Sequence, residues 1–179
     1  WVEAYAPETS STASATSQAV RFHIEKAPLC IRAKGKTITY GETLSDNGAE
    51  INGFVNNENE NVLSGLNYAF DYAQFSNIGT YTIIPMDAKA ENYKITYENG
   101  VLNVQPKPVE IKWNGESVFY YDGTPKLVTA EAIGAVNGDA LTVIIEDGSR
   151  TEIGSYTARA VALAGGKAGN YVLPEAQAF

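Results

Sequence analysis

The sequence predicts an all-β protein built from two tandem small Ig-like β-sandwich domains in an extended rod. Its composition supports this, because 11 Tyr and 16 Gly with a single Met among 179 residues are typical of short strands joined by frequent turns. Runs of alternating apolar and polar residues recur along the chain. Four short landmarks also occur twice, in the same order. A β-grasp-like unit is the alternative, since residues 57–65 could form a short helix across a sheet.

The landmarks divide the chain into units. "TYGE" at 39–42 matches "YYDG" at 120–123, "GFVNNE" at 53–58 matches "GAVNGD" at 134–139, "NIGTYTI" at 77–83 matches "EIGSYTA" at 152–158, and "ENY" at 91–93 matches "GNY" at 169–171. Ordered repetition indicates a duplicated fold rather than a catalytic signature used twice. The predicted domains are therefore 26–106 and 107–179.

The N-terminal segment aligns with the same repeat. "RFHIEKAP" at 21–28 corresponds to "VLNVQPKP" at 101–108, so residues 1–25 are predicted to be the terminal hairpin of a preceding, truncated repeat. The short seams "EKAP" and "QPKP" contain proline, which favours an extended backbone. Seams of this length restrict the angle between neighbouring units.

Strands are predicted where apolar and polar residues alternate. In the first domain these runs are 29–33, 37–40, 68–72, 80–84 and 93–104, and in the second they are 109–113, 127–133, 141–147 and 155–163. We predict that 93–104 is a hairpin, because Asn99 and Gly100 tolerate the positive φ of a tight primed turn.

The repeated Gly-Thr/Ser-Tyr element is interpreted as a structural anchor. Gly79 and Gly154 are predicted to end a turn with positive φ, and Tyr81 and Tyr156 to enter the core at the start of a strand. The spacing is similar to the tyrosine corner of Ig-like sandwiches, where the Tyr hydroxyl bonds to backbone a few residues upstream. The other repeated tyrosines, Tyr40 and Tyr121, are predicted to be anchors as well.

The ordered motifs resemble a known pair of families. "KAPLCIRAKGKTITYGE", "INGFVNNENENVLSG", "GTYTI" and "NYKITYENGVLNV" resemble the MBG domain of the YGX type, and "VEIKW", "YYDGTPK", "VNGD" and "NYVLP" resemble the YDG domain. Both occur in repeats of bacterial surface and adhesin-like proteins. The resemblance implies an extracellular location at the bacterial cell surface, with anchoring through a region outside this segment. It carries over no catalytic or ligand-binding residue.

Charge narrows the range of partners. The 13 basic and 21 acidic residues give a formal net charge of −8, which repels nucleic-acid backbones and anionic membrane surfaces. No apolar run is long enough for a membrane span. We therefore expect no nucleic-acid partner and no direct membrane insertion.

Residues that could carry chemistry have simpler structural interpretations. His23 and Cys30, each unique in the sequence, lack an accompanying nucleophile motif or orienting carboxylate, so they are interpreted as strand residues. The run at 56–61 lacks the ligand order of a calcium loop, and the glycines near 165–169 lack a phosphate-loop ending. Lys94 and Lys112 have no assignable partner for an intramolecular amide bond. We predict no catalytic residue, metal or cofactor.

The sequence therefore predicts a non-enzymatic stalk or spacer segment whose partners are neighbouring repeats of the same chain. The alternative is a module that binds glycan, mucin or a host surface protein through a Tyr-rich surface. Its candidate residues are Tyr68, Phe70, Tyr72 and Tyr120, because exposed rings stack on sugars. Whether these rings face the core or the solvent distinguishes the two hypotheses.

Overall fold

The computed structural model describes residues 2–7, 10, 15–45 and 48–175. Within them the chain is all-β, as predicted, and its only helical pieces are 3₁₀ turns at Glu60–Val62 and Ala168–Asn170. The first takes the place of the short helix considered for 57–65. Asn59 begins it by accepting a hydrogen bond from the Asn61 N–H at 3.0 Å. None of the described helices has the length and apolar character needed to cross a membrane.

The N-terminal segment contains a short antiparallel pair. Strand β1 (Tyr5–Ala6) pairs with β2 (Ala15–Thr16), and a bridge joins Val2 to Val20. Parts of residues 1–25 (1, 8, 9 and 11–14) lie outside the described residues. Residues 21–26 belong to no strand and are exposed.

The described residues of the first unit, 26–45 and 48–106, contain seven strands. They are β3 (Ala27–Ala33), β4 (Lys36–Thr39), β5 (Ala49–Asn52), β6 (Asn67–Phe70), β7 (Gly79–Met86), β8 (Tyr93–Glu98) and β9 (Gly100–Gln105). One sheet has the order β5-β3-β8 and the other β4-β9-β7-β6. The pleat turns alternate residues of β3 inward, so Leu29, Ile31 and Ala33 are buried between neighbouring exposed or half-buried ones.

Asn99 and Gly100 do not form the predicted hairpin turn. β8 runs parallel to β3 and β9 parallel to β4, with partners 66 residues apart in both pairs, as in Ala27 with Tyr93. The β3–β8 pair lies in one sheet and the β4–β9 pair in the other, and the chain passes from the first sheet to the second through a kink between β8 and β9. Neither Asn99 nor Gly100 has positive φ. A Cβ at Gly100 would lie 2.7 Å from the Ala33 carbonyl oxygen, so glycine is required by close backbone approach instead.

The described part of the second unit, residues 107–175, contains eight short strands. They are β10 (Lys107–Pro108), β11 (Glu110–Asn114), β12 (Lys126–Leu127), β13 (Thr129–Ile133), β14 (Thr142–Glu146), β15 (Ser149–Arg150), β16 (Arg159–Ala164) and β17 (Tyr171–Val172). β10 pairs in parallel with β17, as β3 pairs with β8 in the first unit. β11 pairs antiparallel with β13, as β3 pairs with β5. β14 pairs with β16 as β6 does with β7. The duplicated landmarks thus correspond to a duplicated strand topology.

The second unit differs from the first in one region. Among its described residues, 107–175, no strand occupies the position of β9. The strand predicted at 155–163 begins only at Arg159, so its first half was wrongly predicted. In the first unit the equivalent half of β7 pairs with β9, whereas residues 154–158 lie outside any strand.

The core crosses the boundary between the units. Buried residues of the first unit pack in one cluster with Val109 and Tyr171 of the second; the first-unit members are Ala33, Ile38, Tyr40, Ile83, Leu102 and Val104. Shared apolar burial of this kind favours one fixed arrangement of the two units.

Candidate functional site

Two tyrosines, one from each unit, meet at a single carboxylate. Tyr40 follows β4, and its hydroxyl donates to Asp139 Oδ2 at 2.9 Å. Tyr171 opens β17 and donates to the same oxygen at 2.8 Å. Tyr40 is 1% exposed and Tyr171 6%, so both bonds lie away from bulk solvent. We call the contact built around these three residues the junction.

A tight turn presents Asp139 to the tyrosines. Asn137 and Gly138 both have positive φ, and the Asp139 N–H donates to the Val136 carbonyl at 3.0 Å. The Val136 N–H in turn donates to the Tyr171 hydroxyl at 3.0 Å. The turn is therefore fixed to the strand that carries Tyr171, and its carboxylate faces the first unit.

The environment keeps the junction hydroxyls protonated. Burial raises the pKa of Tyr40 to about 12, and the neighbouring Asp139 carboxylate adds to this effect. Burial is also the main cause of the raised pKa of Tyr171. Both tyrosines therefore act as hydrogen-bond donors to the carboxylate at neutral pH.

A second set of polar contacts crosses the junction at Asn170, which is 3% exposed. Its Oδ1 accepts from the Ile78 N–H at 2.9 Å, and its Nδ2 donates to Asn77 Oδ1 at 3.1 Å. Lys167 Nζ donates to the same Asn77 oxygen at 2.9 Å. These bonds satisfy a buried amide and define the relative orientation of the units.

Aromatic packing completes the junction. The Tyr40 ring contacts Tyr171 edge-on at 5.3 Å between centroids and Phe75 at 6.3 Å. Gly41 lies beside these rings with φ of 88°, and a Cβ there would lie 2.8 Å from Val136 Cγ2. The Tyr-Gly pair of the first unit is therefore part of the contact with the second.

The first unit carries the same polar arrangement at its own N-terminal side. The Tyr93 hydroxyl accepts from the Val55 N–H at 3.0 Å and donates to Glu58 Oε2 at 2.5 Å. In the repeated landmarks, these three residues occupy the positions of Tyr171, Val136 and Asp139 of the second unit. The two units thus carry an acidic residue and a tyrosine at equivalent positions.

The Gly-Thr/Ser-Tyr element is found as two tyrosine corners. Tyr81 donates to the Asn77 carbonyl at 2.7 Å and Tyr156 to the Glu152 carbonyl at 3.1 Å, both four residues upstream, as predicted. The predicted burial is wrong for Tyr156, which is 46% exposed, whereas Tyr81 is half-buried and packs against the shared core.

The two glycines of this element have different roles. Gly79 has positive φ, as predicted, but Gly154 does not. A Cβ at Gly154 would lie 3.0 Å from the Tyr156 ring, so glycine there makes room for the ring to fold back.

The candidate binding aromatics fall into two groups. Tyr68, Phe70 and Tyr72 are half-buried and pack against the shared core. Tyr72 also contacts the Tyr81 ring edge-on at 5.2 Å. Tyr120 belongs to the second unit and is 85% exposed, beside the exposed anchor candidate Tyr121.

The remaining candidates form no reactive cluster. His23 is exposed, 3.8 Å from Glu25, and the half-buried Cys30 thiol lies 3.5 Å from Glu98 Oε1. Lys94 and Lys112 are exposed. Across the described ranges, no group of three or more His, Cys, Asp or Glu is arranged to bind a metal.

Sequence reasoning did not identify Asp139, Asn170, Asn77 and Lys167 as junction residues. Asp139 lies in "VNGD", and Lys167 and Asn170 lie in "AGGKAGNY", a loop that contains the 3₁₀ turn Ala168–Asn170. The available signal was that an acidic residue ends both "GFVNNE" and "GAVNGD", while Asn-Tyr ends both "ENY" and "GNY".

Comparison with known families identifies the first unit. Residues 29–103 match the MBG domain (YGX type), so a domain of this family lies at these positions, within β3 to β9. MBG domains occur in repeat regions of surface proteins and are generally structural rather than catalytic. No curated protein and no solved structure matched the chain.

Proposed function

We propose that this chain, which carries an MBG domain (YGX type) at residues 29–103, is a non-enzymatic stalk segment of a large secreted bacterial cell-surface protein. In this proposal the second unit is a YDG-type domain, and the segment spaces a distal adhesive domain from the cell. Anchoring is provided by a region outside these residues.

The observation that carries the proposal is the junction. A spacer transmits position only if its units are fixed to one another, and a flexible linker does not provide this. Here Tyr40 and Tyr171 share the Asp139 carboxylate, while Asn170 connects to the backbone of the first unit at Ile78. The apolar cluster beneath them includes residues of both units.

The repetition of the junction residues supports a serial array. Tyr93 and Glu58 repeat the Tyr171 and Asp139 arrangement on the first unit, where a preceding unit would contact it. Contacts limited to neighbours are the organising feature of repeat proteins. A stalk of any length can then be built from the same contact.

Distance measurements between spin labels test the stalk. We expect labels at the exposed positions Lys94→Cys and Arg159→Cys, in a Cys30→Ser background, to give a narrow distance distribution. Tyr40→Ala should broaden it by removing the junction ring, whereas Tyr120→Ala should leave it unchanged. A broad distribution in the parent would contradict a fixed spacer.

A second candidate function is ligand binding by the second unit. Tyr120, Tyr121 and Ile153 are 85%, 63% and 86% exposed, and all three line a groove of about 590 Å³. A glycan and mucin array probed with the purified chain separates the two functions. A stalk predicts no saturable binding, while saturable binding that disappears with Tyr120→Ala would establish the binding module.

A further inference from the structure

We propose that the first unit is a tension-bearing element, in which the first and last strand segments pair as a clamp that resists force applied along the chain. The clamp consists of residues 27–39, which contain β3 and β4, and residues 93–105, which contain β8 and β9. The clamp itself is a property of the fold. Its use, which is to keep a stalk intact under load, rests on the proposed function.

The clamp is a parallel ladder that runs along both segments. β3 and β8 contribute six residue pairs, and β4 and β9 contribute four more. Backbone hydrogen bonds continue the ladder beyond its first and last pairs. The Ala27 N–H donates to the Asn92 carbonyl at 2.9 Å, and the Tyr40 N–H donates to the Gln105 carbonyl at 2.9 Å. Pairing therefore extends from the point where the chain enters the unit to the point where it leaves.

Side chains strengthen the β3–β8 half of the clamp. The Thr96 hydroxyl donates to the Leu29 carbonyl at 3.3 Å, and Arg32 Nε donates to Glu98 Oε2 at 2.6 Å. Both bonds connect the first segment directly to the last one. The bond between Arg32 and Glu98 joins two charged groups, and such bonds are stronger than those between neutral groups.

Tension along the chain loads this ladder in shear. The chain enters the unit just before Ala27 and leaves it just after Gln105, so stretching pulls residues 26 and 106 in opposite directions. Because the paired segments are parallel, these two points lie at opposite ends of the ladder. The segments can then separate only by sliding past one another. The hydrogen bonds of both halves of the clamp share the load.

The inner side of the clamp is closed to water. Its inward side chains are all 5% exposed or less, and they are Leu29, Ile31, Ile38, Leu102 and Val104. A stretched bond that is reached by water can be replaced by a bond to water, whereas a buried one leaves its polar groups unpaired when it breaks. The clamp is therefore expected to open only when its ladder and the core beneath it separate together.

The direction of pulling should decide the force at which the unit opens. A force applied to the same end of two paired strands breaks their hydrogen bonds one after another. A force applied to opposite ends of parallel strands must break them together, which raises the barrier that governs forced unfolding. β5 and β6 pair antiparallel with β3 and β7, and neither lies at the point where the chain enters or leaves the unit.

Single-molecule force measurements on the full chain test the clamp. In a Cys30→Ser background, handles attached at Lys26→Cys and Gln105→Cys load the ladder in shear, and handles at Lys26→Cys and Glu91→Cys peel it from its first pair. All three attachment positions are exposed. The two events are identified by the extended chain between the handles, roughly 280 Å in shear and roughly 230 Å in peeling. We expect a rupture force severalfold higher in shear at the same loading rate. Equal forces in the two directions would overturn the proposal.

A matched pair of core variants separates the clamp from overall stability. Ile38 lies in β4, an edge strand that pairs with β9, and Ile83 lies in β7, outside the clamp. They are 5% and 2% exposed and belong to the same core cluster. Ile38→Val and Ile83→Val each remove one buried methyl group, so their urea midpoints should shift to a similar extent. The shear force should fall more for Ile38→Val. An equal loss in both variants, or a larger loss for Ile83→Val, would show that the force follows overall stability and would reject the clamp.

Failure of the clamp is distinguishable from failure of the stalk. Equal forces in shear and peeling, together with a narrow distribution of spin-label distances, would reject the clamp alone. A high shear force together with a broad distribution would reject the fixed stalk and support the clamp.

Discussion

The tyrosine at the same position of the repeat is buried in the first unit, as Tyr40, and exposed in the second, as Tyr121. Tyr40 is 1% exposed and bonded to Asp139, whereas its counterpart Tyr121 is 63% exposed. The ring of Tyr40 is covered by Tyr171 of the second unit, at 5.3 Å between centroids. The strength of the junction can therefore be measured at this one side chain.

We predict that Tyr40→Phe lowers the free energy of unfolding by about 2 kcal/mol, because a bond from the buried Tyr40 hydroxyl to the half-buried Asp139 carboxylate is lost. Tyr40→Ala should lower it by about 3–5 kcal/mol, since a cavity is added. Urea unfolding monitored by fluorescence measures both. Tyr120→Phe, at a ring that is 85% exposed, is the control and should stay within about 0.5 kcal/mol. A Tyr40→Ala protein as stable as the parent would contradict the role of the junction.

The pKa of Tyr40 predicts how stability depends on alkaline pH. Its pKa is about 12 in the folded chain against an ordinary value of 10.0, so the unfolded state loses its proton first. This contribution to stability is fully present below pH 10 and is lost as the pH rises from 10 to about 12. Tyr171, whose pKa is also raised, acts in the same direction.

We expect the free energy of unfolding of the parent to fall more steeply over this pH range than that of Tyr40→Phe. Urea midpoints measured at successive pH values between 9 and 12 provide the comparison. The other tyrosines are present in both proteins, so they do not affect the difference between the two curves. Parallel curves for the two proteins would show that Tyr40 is not the responsible group.

At the scale of the element, the kink between β8 and β9 needs glycine for its lack of a side chain and not for its ability to adopt positive φ. Gly100 has no positive φ, but its missing side chain lets the backbone approach the Ala33 and Lys34 carbonyls. Asn-Gly is a strong local hairpin signal. Here it is overridden because parallel pairing with β3 and β4 continues on both sides of it.

We predict that Gly100→Ala destabilises the chain by about 1–3 kcal/mol, because its Cβ would lie 2.7 Å from backbone that cannot easily move. Gly166→Ala is the matched control, since no atom lies within 4 Å of a Cβ there and its φ is not positive. Thermal unfolding of the two variants measures the difference. If Gly100→Ala melts at or above the temperature of Gly166→Ala, the close approach is not a constraint.

At the scale of the whole molecule, the shared core predicts cooperative unfolding. We expect a single calorimetric transition in the parent, with equal calorimetric and van't Hoff enthalpies. Asp139→Ala with Asn170→Ala removes the polar bonds of the junction and should separate this into two transitions. Glu131→Ala, an exposed position on β13, should not. Two transitions already present in the parent would show that the units unfold independently.

The predicted rod shape is tested by small-angle scattering. A single globule of 179 residues has a radius of gyration of about 16 Å, whereas two units of roughly 35 Å placed end to end imply about 22 Å. A radius near the lower figure would indicate that the units fold back on one another.

The sequence by itself determined the class of structure and its repetition. Strand positions such as 29–33 and 80–84 follow from alternation along the chain, which is a local property of a pleated strand with one buried face. The tyrosine corners were also predictable, because each hydrogen bond spans only four residues, as from Tyr81 to Asn77.

Only the tertiary structure decided which strands pair and where the units touch. Asn99-Gly100 forms a kink, because the strands on either side of it pair in parallel with β3 and β4, which are distant in sequence. Asp139 reaches Tyr40 across 99 residues. Such contacts depend on how two folded surfaces meet, and the local pattern around either residue contains no information about the other.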